Sequence, residues 1–414
     1  MVIKGAIVCD YEREQKNDVR IREGKIVEIQ KSILPEKGEE VVLAEGLSLL
    51  PAMVDLNVRV ANDSLTGKNL ATLAKKAAKG GVGSLALMPD CSPSLDNEAA
   101  IELLNSYKGE LPASIFPIAS ATKKEDGKLS DLSILHKMGC RGIAIESSLD
   151  GNLSRRVCEY SLMMKAPIFC RCEDVSLRGS GVMNDGYLSS RMGLPGIPSL
   201  SETKEVAKMA ETAIFMRTPV LFQALANERS LRIIERAKEE NPSLFAEVSI
   251  HHLAITEDFC SGFNTGAKIR PPLKSESTRK KLLQLLKEGV VDVVTSLQSE
   301  HSLSKKDVAF EEAAFGVDNI ENHFSLCYTY LIKQGRLSMS DLSRVTAKRA
   351  AEILGLESKG YVGVGADADL ILVDIKSSKV VEDNFSPYYN SILYGEVERT
   401  IIAGETVYKR EKKG

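Results

Sequence analysis

The chain lacks any apolar stretch approaching the ~20 residues that a membrane-crossing helix needs, so no transmembrane segment is expected. Residues 1–30 also lack a positive segment leading into an apolar run. Apolar and charged side chains alternate there instead, which excludes a secretory leader in that stretch and makes a cytoplasmic location the expectation. Excess charge of either sign is missing too: 54 Lys and Arg stand against 57 Asp and Glu, interspersed, for a formal net charge of -3. Without a basic stripe there is no electrostatic footprint for nucleic acid, and a small molecule or a protein is the expected partner. The closest pair of the eight cysteines, Cys170 and Cys172, does not have the CxxC spacing of a redox or zinc motif. Free, buried thiols are expected. Both flank Arg171, whose charge favours a thiolate, but strand alternation turns both away from it. No Gly-x-Ser-x-Gly elbow, P-loop or dinucleotide fingerprint occurs, and there is no solenoid-period repeat or low-complexity segment.

What is present is enough apolar material for a large core. At 414 residues and 43% hydrophobic, the chain exceeds the usual size of one domain. Short strands are predicted over 1–8, 18–22, 25–29 and 41–44, separated by turns at Glu23-Gly24 and Lys37-Gly38. From Leu49 to about Leu354 apolar segments such as 84–88 alternate with helical stretches such as 68–79. Repeated β-then-α units over that length favour a closed parallel sheet, a (β/α)8 TIM-like barrel in an α/β protein. Short strands return at 370–373, 379–382 and 400–403. The expected organisation is a barrel over 51–355 and a small β-sandwich domain built from both chain ends, 1–50 and 356–414.

Several motifs fall in that order along nearly the whole chain. Pro51-Ala52-Met53-Val54-Asp55 opens the barrel, and Ala77-Ala78-Lys79-Gly80-Gly81-Val82 closes its first helix. They are followed by Met88-Pro89-Asp90, Met183-Asn184-Asp185-Gly186, Gly193-Leu194-Pro195-Gly196-Ile197-Pro198 with Glu202, and Glu247-Val248-Ser249-Ile250-His251-His252-Leu253. Lys268-Ile269-Arg270-Pro271-Pro272-Leu273-Lys274, then 310–316 with Glu321, and Gly365-Ala366-Asp367-Ala368-Asp369-Leu370 complete the set. Together they resemble dihydroorotases of the amidohydrolase superfamily, of the multifunctional-complex type, which are similar to hydantoinase and allantoinase. Most are glycine, proline and packing positions, so the resemblance certifies architecture more than activity.

The resemblance implies a zinc hydrolase, whose metal needs several N or O ligands and an open position for water. Each ligand position that can be placed has changed. Where the family has a pair of histidines on the first strand, this chain has Asn57 and Arg59. Asparagine is a poor zinc ligand and arginine a permanent cation. The fourth-strand bridging residue falls within 145–150, where no lysine occurs and Glu146 or Asp150 offers an oxygen. Arg171 replaces the fifth-strand histidine, Phe222 and Leu225 align with the sixth-strand histidines, and Ser296 stands at the position of the proton-shuttling aspartate. The substrate contacts align with Ala61 and Asp90, and Arg270 takes the place of an asparagine. No metal and no other cofactor is therefore expected.

The remaining histidines are His136, His251, His252, His301 and His323. Packing or loop roles are expected for His251 and His252, surface or boundary positions for His136 and His323, and an exposed loop for His301, the best residual candidate. Asp55, Asp90, Glu173 and Asp174 are expected to pair with the new cations Arg59 and Arg171 in place of a metal. The resemblance extends to inactive dihydroorotase-like companions of aspartate transcarbamoylase in pyrimidine biosynthesis. A structural or regulatory partner of that enzyme, homo-oligomeric like the barrels of the family, is the leading expectation. The alternatives are a divergent active cyclic-amide hydrolase, and a module that binds an anionic metabolite through Arg59, Arg171 and Arg270.

Overall fold

Eight parallel strands form the barrel in the computed structural model, which describes residues 1–411. They are β1 (Met53–Val58), β2 (Val82–Leu87), β3 (Ser114–Ser120), β4 (Gly142–Glu146), β5 (Ile168–Arg171), β6 (Val220–Gln223), β7 (Leu244–Ser249) and β8 (Val293–Thr295). Each pairs with its neighbour in chain order. The ring closes just beyond the strand ends, where the Arg59 N–H donates to the Gln298 carbonyl at 2.9 Å and the Asn62 N–H to that of Glu300 at 2.8 Å. Strands covered on one side by helices and on the other by the barrel interior carry no alternating pattern, and β1, β2 and β6 are buried along their whole length.

Local chemistry sets the helices between them. The predicted 68–79 helix is Gly67–Lys79; Thr66 caps it by accepting the Asn69 N–H, and Leu70, Leu73, Ala74, Ala77 and Ala78 form its buried stripe. Its end requires glycine twice. A Cβ on Gly80 would run into the Ile320 carbonyl oxygen, and Gly81 has a φ of +81° as the chain turns into β2.

The chain ends form one eight-stranded sheet. Ser48–Pro51 runs antiparallel to the start of Leu370–Val380, with Leu370 opposite Pro51, so the last N-terminal strand is joined to the first C-terminal one immediately before β1 begins. The separate strands predicted at 370–373 and 379–382 are a single strand. The polar stretch between them reads as a turn, but its pairing with Ile392–Ile402 continues through two register shifts. His251 and His252, for which packing or loop roles are expected, are buried on the short helix Ile250–Ala254. No helix among the described residues is long and apolar enough to cross a membrane.

Candidate functional site

The C-terminal ends of the barrel strands carry a continuous polar network. On β1, the Asn57 amide donates to Glu247 Oε1 at 2.7 Å, and Thr295 Oγ1 at the end of β8 donates to the same oxygen at 2.8 Å. Arg59 Nη1 donates to Asn57 Oδ1 at 2.8 Å, and its Nε to Asp90 Oδ2 at 2.6 Å. Both ends of the Asn57 side chain are therefore committed. Beneath them, Asp55 accepts the N–H groups of Asn57 at 3.1 Å and of Ser296 at 2.9 Å. Burial pushes the Asp55 carboxyl up to about 6 and the Glu247 carboxyl up to about 7. Burial opposes ionisation of Asp90 as well, but the Arg59 charge and hydrogen bond hold that carboxyl below its usual range.

Above this floor lies a cavity of about 380 Å³, lined by Asn57, Arg59, Asp90, Arg171, Gln223, Arg270, Ser299, His301, Lys305 and Phe315 among others. A wider groove of about 710 Å³ adjoins it over the ends of β2 to β5 and shares Arg59, Asp90, Arg171 and Gln223 with it. Arg171 ends β5 and faces two carboxylates at longer range, Glu173 at 3.8 Å and Glu146 at 3.9 Å. Glu173 is shared with Arg178 at 3.3 Å and Arg270 at 3.6 Å. The segment 310–317, whose end at 314–317 walls the cavity, is held by two buried lysines. Lys268 Nζ donates to the carbonyls of Phe310 (2.6 Å) and Glu311 (2.9 Å), and Lys306 Nζ to those of Ala314 (3.1 Å) and Gly316 (2.9 Å).

A divalent metal does not fit these residues. Zinc takes lone pairs from imidazole, thiolate or carboxylate, whereas the first-strand pair presents an amide with both ends bonded and a guanidinium that has none to give. Among the described residues, no group of three or more His, Cys, Asp or Glu side chains is arranged to hold a metal ion.

The structure brings Asn57, Arg59, Asp90, Arg171 and Arg270 together on one cavity. Four other singled-out positions lie elsewhere. Phe222 and Leu225 are wholly buried in the apolar core. Ser296 is buried as well, with Oγ accepting the Gln298 N–H at 3.2 Å. Ala61 begins a short 3-10 turn, Ala61–Asp63, beside the cavity. Of the expected acidic partners, Asp90 pairs with Arg59 and Glu173 with Arg171, while Asp174 pairs with Lys204 and Asp55 binds backbone amides.

The histidines sort in the same way. His251 Nε2 donates to the Ser296 carbonyl and Nδ1 accepts from the Tyr388 hydroxyl, both at 2.8 Å; His252 accepts from Ser249 Oγ at 2.8 Å and donates to the Pro271 carbonyl at 3.1 Å. Burial drives them down to about 4 and about 3. His323, expected near the surface, is buried, and His301 lines the cavity rather than standing free on a loop. All eight cysteines are free and buried, with Cys170 and Cys172 Sγ 3.6 Å apart. Sequence reasoning missed Gln223, Lys305 and Phe315. Strand alternation beside the apolar Phe222 is a signal that points to Gln223; nothing comparable marks the two loop residues.

A family model described as dihydro-orotase-like matches residues 46–214, and one of the amidohydrolase family matches residues 178–407. The chain is 32% identical over 426 residues to the dihydroorotase of Acetivibrio thermocellus, covering 100% of this chain and 99% of that protein. It is 31% identical to that of Ruminiclostridium cellulolyticum, covering 99% of each. In three dimensions it is similar to an L-hydantoinase from Arthrobacter aurescens, with a TM-score of 0.86 at 18% identity over 99% of this chain and 96% of that one. At that identity the likeness speaks for the fold alone.

Proposed function

This chain belongs to the dihydroorotase family of amidohydrolases, and from that premise we propose that it serves pyrimidine biosynthesis as a non-hydrolytic member, a structural or regulatory partner whose candidate companion is aspartate transcarbamoylase. The observation that carries this reading is the closed network at the end of β1. Asn57 is bonded to Glu247 and to Arg59, and Arg59 to Asp90, so the place from which the family's metal chemistry is run is taken by groups that satisfy one another. Association with a partner requires the folded surface, which these substitutions leave in place. A homo-oligomer and a cytoplasmic setting accompany the reading.

One observation favours a rival. The relatives that share a third of their residues with this chain carry the name of an active hydrolase along their whole length. An active cyclic-amide hydrolase needs a base poised near neutrality beside its substrate. Glu247 has the required pKa of about 7 but is sealed beneath Asn57 and does not line the cavity.

The deciding experiment is dihydroorotate hydrolysis by the purified chain in excess zinc, with bound metal quantified on the same sample. No turnover and no stoichiometric metal is expected. Turnover with stoichiometric metal would overturn the proposal. Size-exclusion chromatography of the mixed proteins tests the companion, with a shift to a joint peak as the expected result and unchanged elution as the contrary one.

A further inference from the structure

Four cations and two carboxylates face the 380 Å³ cavity: Arg59, Arg171, Arg270 and Lys305 against Asp63 and Asp90. Asp90 is already committed to Arg59. Arg171 and Arg270 donate no side-chain hydrogen bond among the described residues; their shared carboxylate, Glu173, stands 3.8 and 3.6 Å away and is contacted more closely by Arg178. Each guanidinium carries five N–H donors in a planar fork that matches the paired oxygens of a carboxylate or phosphate. The Arg270 fork is also held in place, lying over the Phe315 ring at 5.7 Å. Two forks without a hydrogen-bond partner among the described residues, on the wall of a cavity lined by four cations and two carboxylates, with Glu173 and Glu146 as counter-charges only at 3.6–3.9 Å, form an arrangement for binding oxyanions.

We infer that this cavity binds a small dianion, a dicarboxylate or a phosphomonoester, gripped by Arg171 and Arg270 with Arg59 as a fixed charge behind it. A monoanion would leave one fork unmatched. The volume lies near the lower end of the ligand-pocket range, about 300–1,000 Å³, which suits a compact molecule, and the adjoining groove gives room for a longer body. The inference shares with the proposed function the premise that guanidinium groups, not a metal, supply the positive charge at the barrel mouth.

Titration calorimetry on the full chain at low ionic strength, with succinate, inorganic phosphate and acetate as separate probes, tests it. Saturable one-to-one binding of at least one dianion is expected, with acetate weaker by about ten-fold or more. Succinate alone would assign a dicarboxylate, phosphate alone a phosphomonoester. Arg171→Ala and Arg270→Ala should each weaken the dianion by about ten-fold or more, and Arg171→Lys and Arg270→Lys, which keep the charge and lose the fork, should weaken it as well. Lys204→Ala, whose partner Asp174 lies off the cavity, should leave binding unchanged. Far-UV circular dichroism of each variant separates lost binding from lost folding. Absence of saturation by either dianion at millimolar concentration, or binding that survives both alanine variants in the folded state, would overturn the inference. Failure to associate with a transcarbamoylase would strike the proposed function and leave this site standing, whereas turnover with stoichiometric metal would remove the premise that both share.

Discussion

Glu247 is the residue at which the polar network is most open to measurement. Its side chain is fully buried; Oε1 accepts from Asn57 and Thr295, and Oε2 has no partner. Burial raises the carboxyl from 4.5 to about 7, so between those values the folded chain holds a proton that the unfolded chain has released. This group therefore contributes stability at low pH that is lost as pH rises through about 7, at up to about 1.4 kcal/mol per pH unit. His251 and His252, held neutral by burial, act in the opposite sense, because their contribution is lost as pH falls below 6.5. The wild-type profile mixes the two signs; Glu247→Gln separates them. Relative to the wild type, that variant should gain stability between about pH 5 and about pH 8, read from urea midpoints, and a difference that stays constant with pH would refute the assignment. The sequence made legible that Asn57, Arg59 and Arg171 offer no imidazole to a metal. It did not reveal what they bond to: the Asn57–Glu247 bond joins residues 190 positions apart, and only the closed barrel brings them together.

At the level of elements, helix Leu200–Met216 controls the loop that follows β6. Near its N-terminus the buried Glu202 accepts the N–H groups of Ala226 at 3.0 Å and Asn227 at 3.2 Å, through its two oxygens. Ala224, just before them, has a φ of +49° and lines the cavity. Glu202→Ala would leave two buried amides without acceptors, at an expected cost of about 3 kcal/mol. Urea denaturation measures the loss, and faster hydrogen exchange at Ala226 and Asn227 locates it; unchanged exchange at those amides would show that the carboxylate does not hold the loop. The motif containing Glu202 was readable in the sequence as a signature, yet its purpose was not, since nothing local says that a helix start grips a strand end more than 20 residues later. Elements themselves were more legible than their contacts. The helix Gly67–Lys79 follows from its apolar spacing and its cap, whereas the split prediction around 374–378 failed because cross-strand pairing outweighs the turn-like composition of that stretch.

Across the whole molecule, the C-terminal segment shares the barrel's core, while one face of the terminal sheet packs into a cluster of its own with Ile3, Val19, Leu49 and Leu370. Ile371, Val373, Tyr388, Leu393 and Val397 belong to the same buried cluster as Leu85, Ile101 and Leu326 of the barrel region. Polar contacts repeat the connection: Thr400 Oγ1 donates to the Ala78 carbonyl at 2.6 Å, and the Tyr394 N–H to Thr329 Oγ1 at 2.7 Å. The Tyr388 hydroxyl reaches His251, which in turn holds the Ser296 carbonyl beside Asp55, so the C-terminal segment supports the floor of the site. A division at 50/51 and 355/356, natural on strand and helix pattern, thus cuts through packed apolar surface and buried hydrogen bonds. A fragment of residues 51–355 would expose that surface and leave His251 Nδ1 without its donor. It should fail to show a cooperative denaturation transition, while the full chain shows one seen together by near- and far-UV circular dichroism. A soluble fragment with a sigmoidal transition of its own would establish the barrel as an independent unit and reduce the terminal sheet to an attachment.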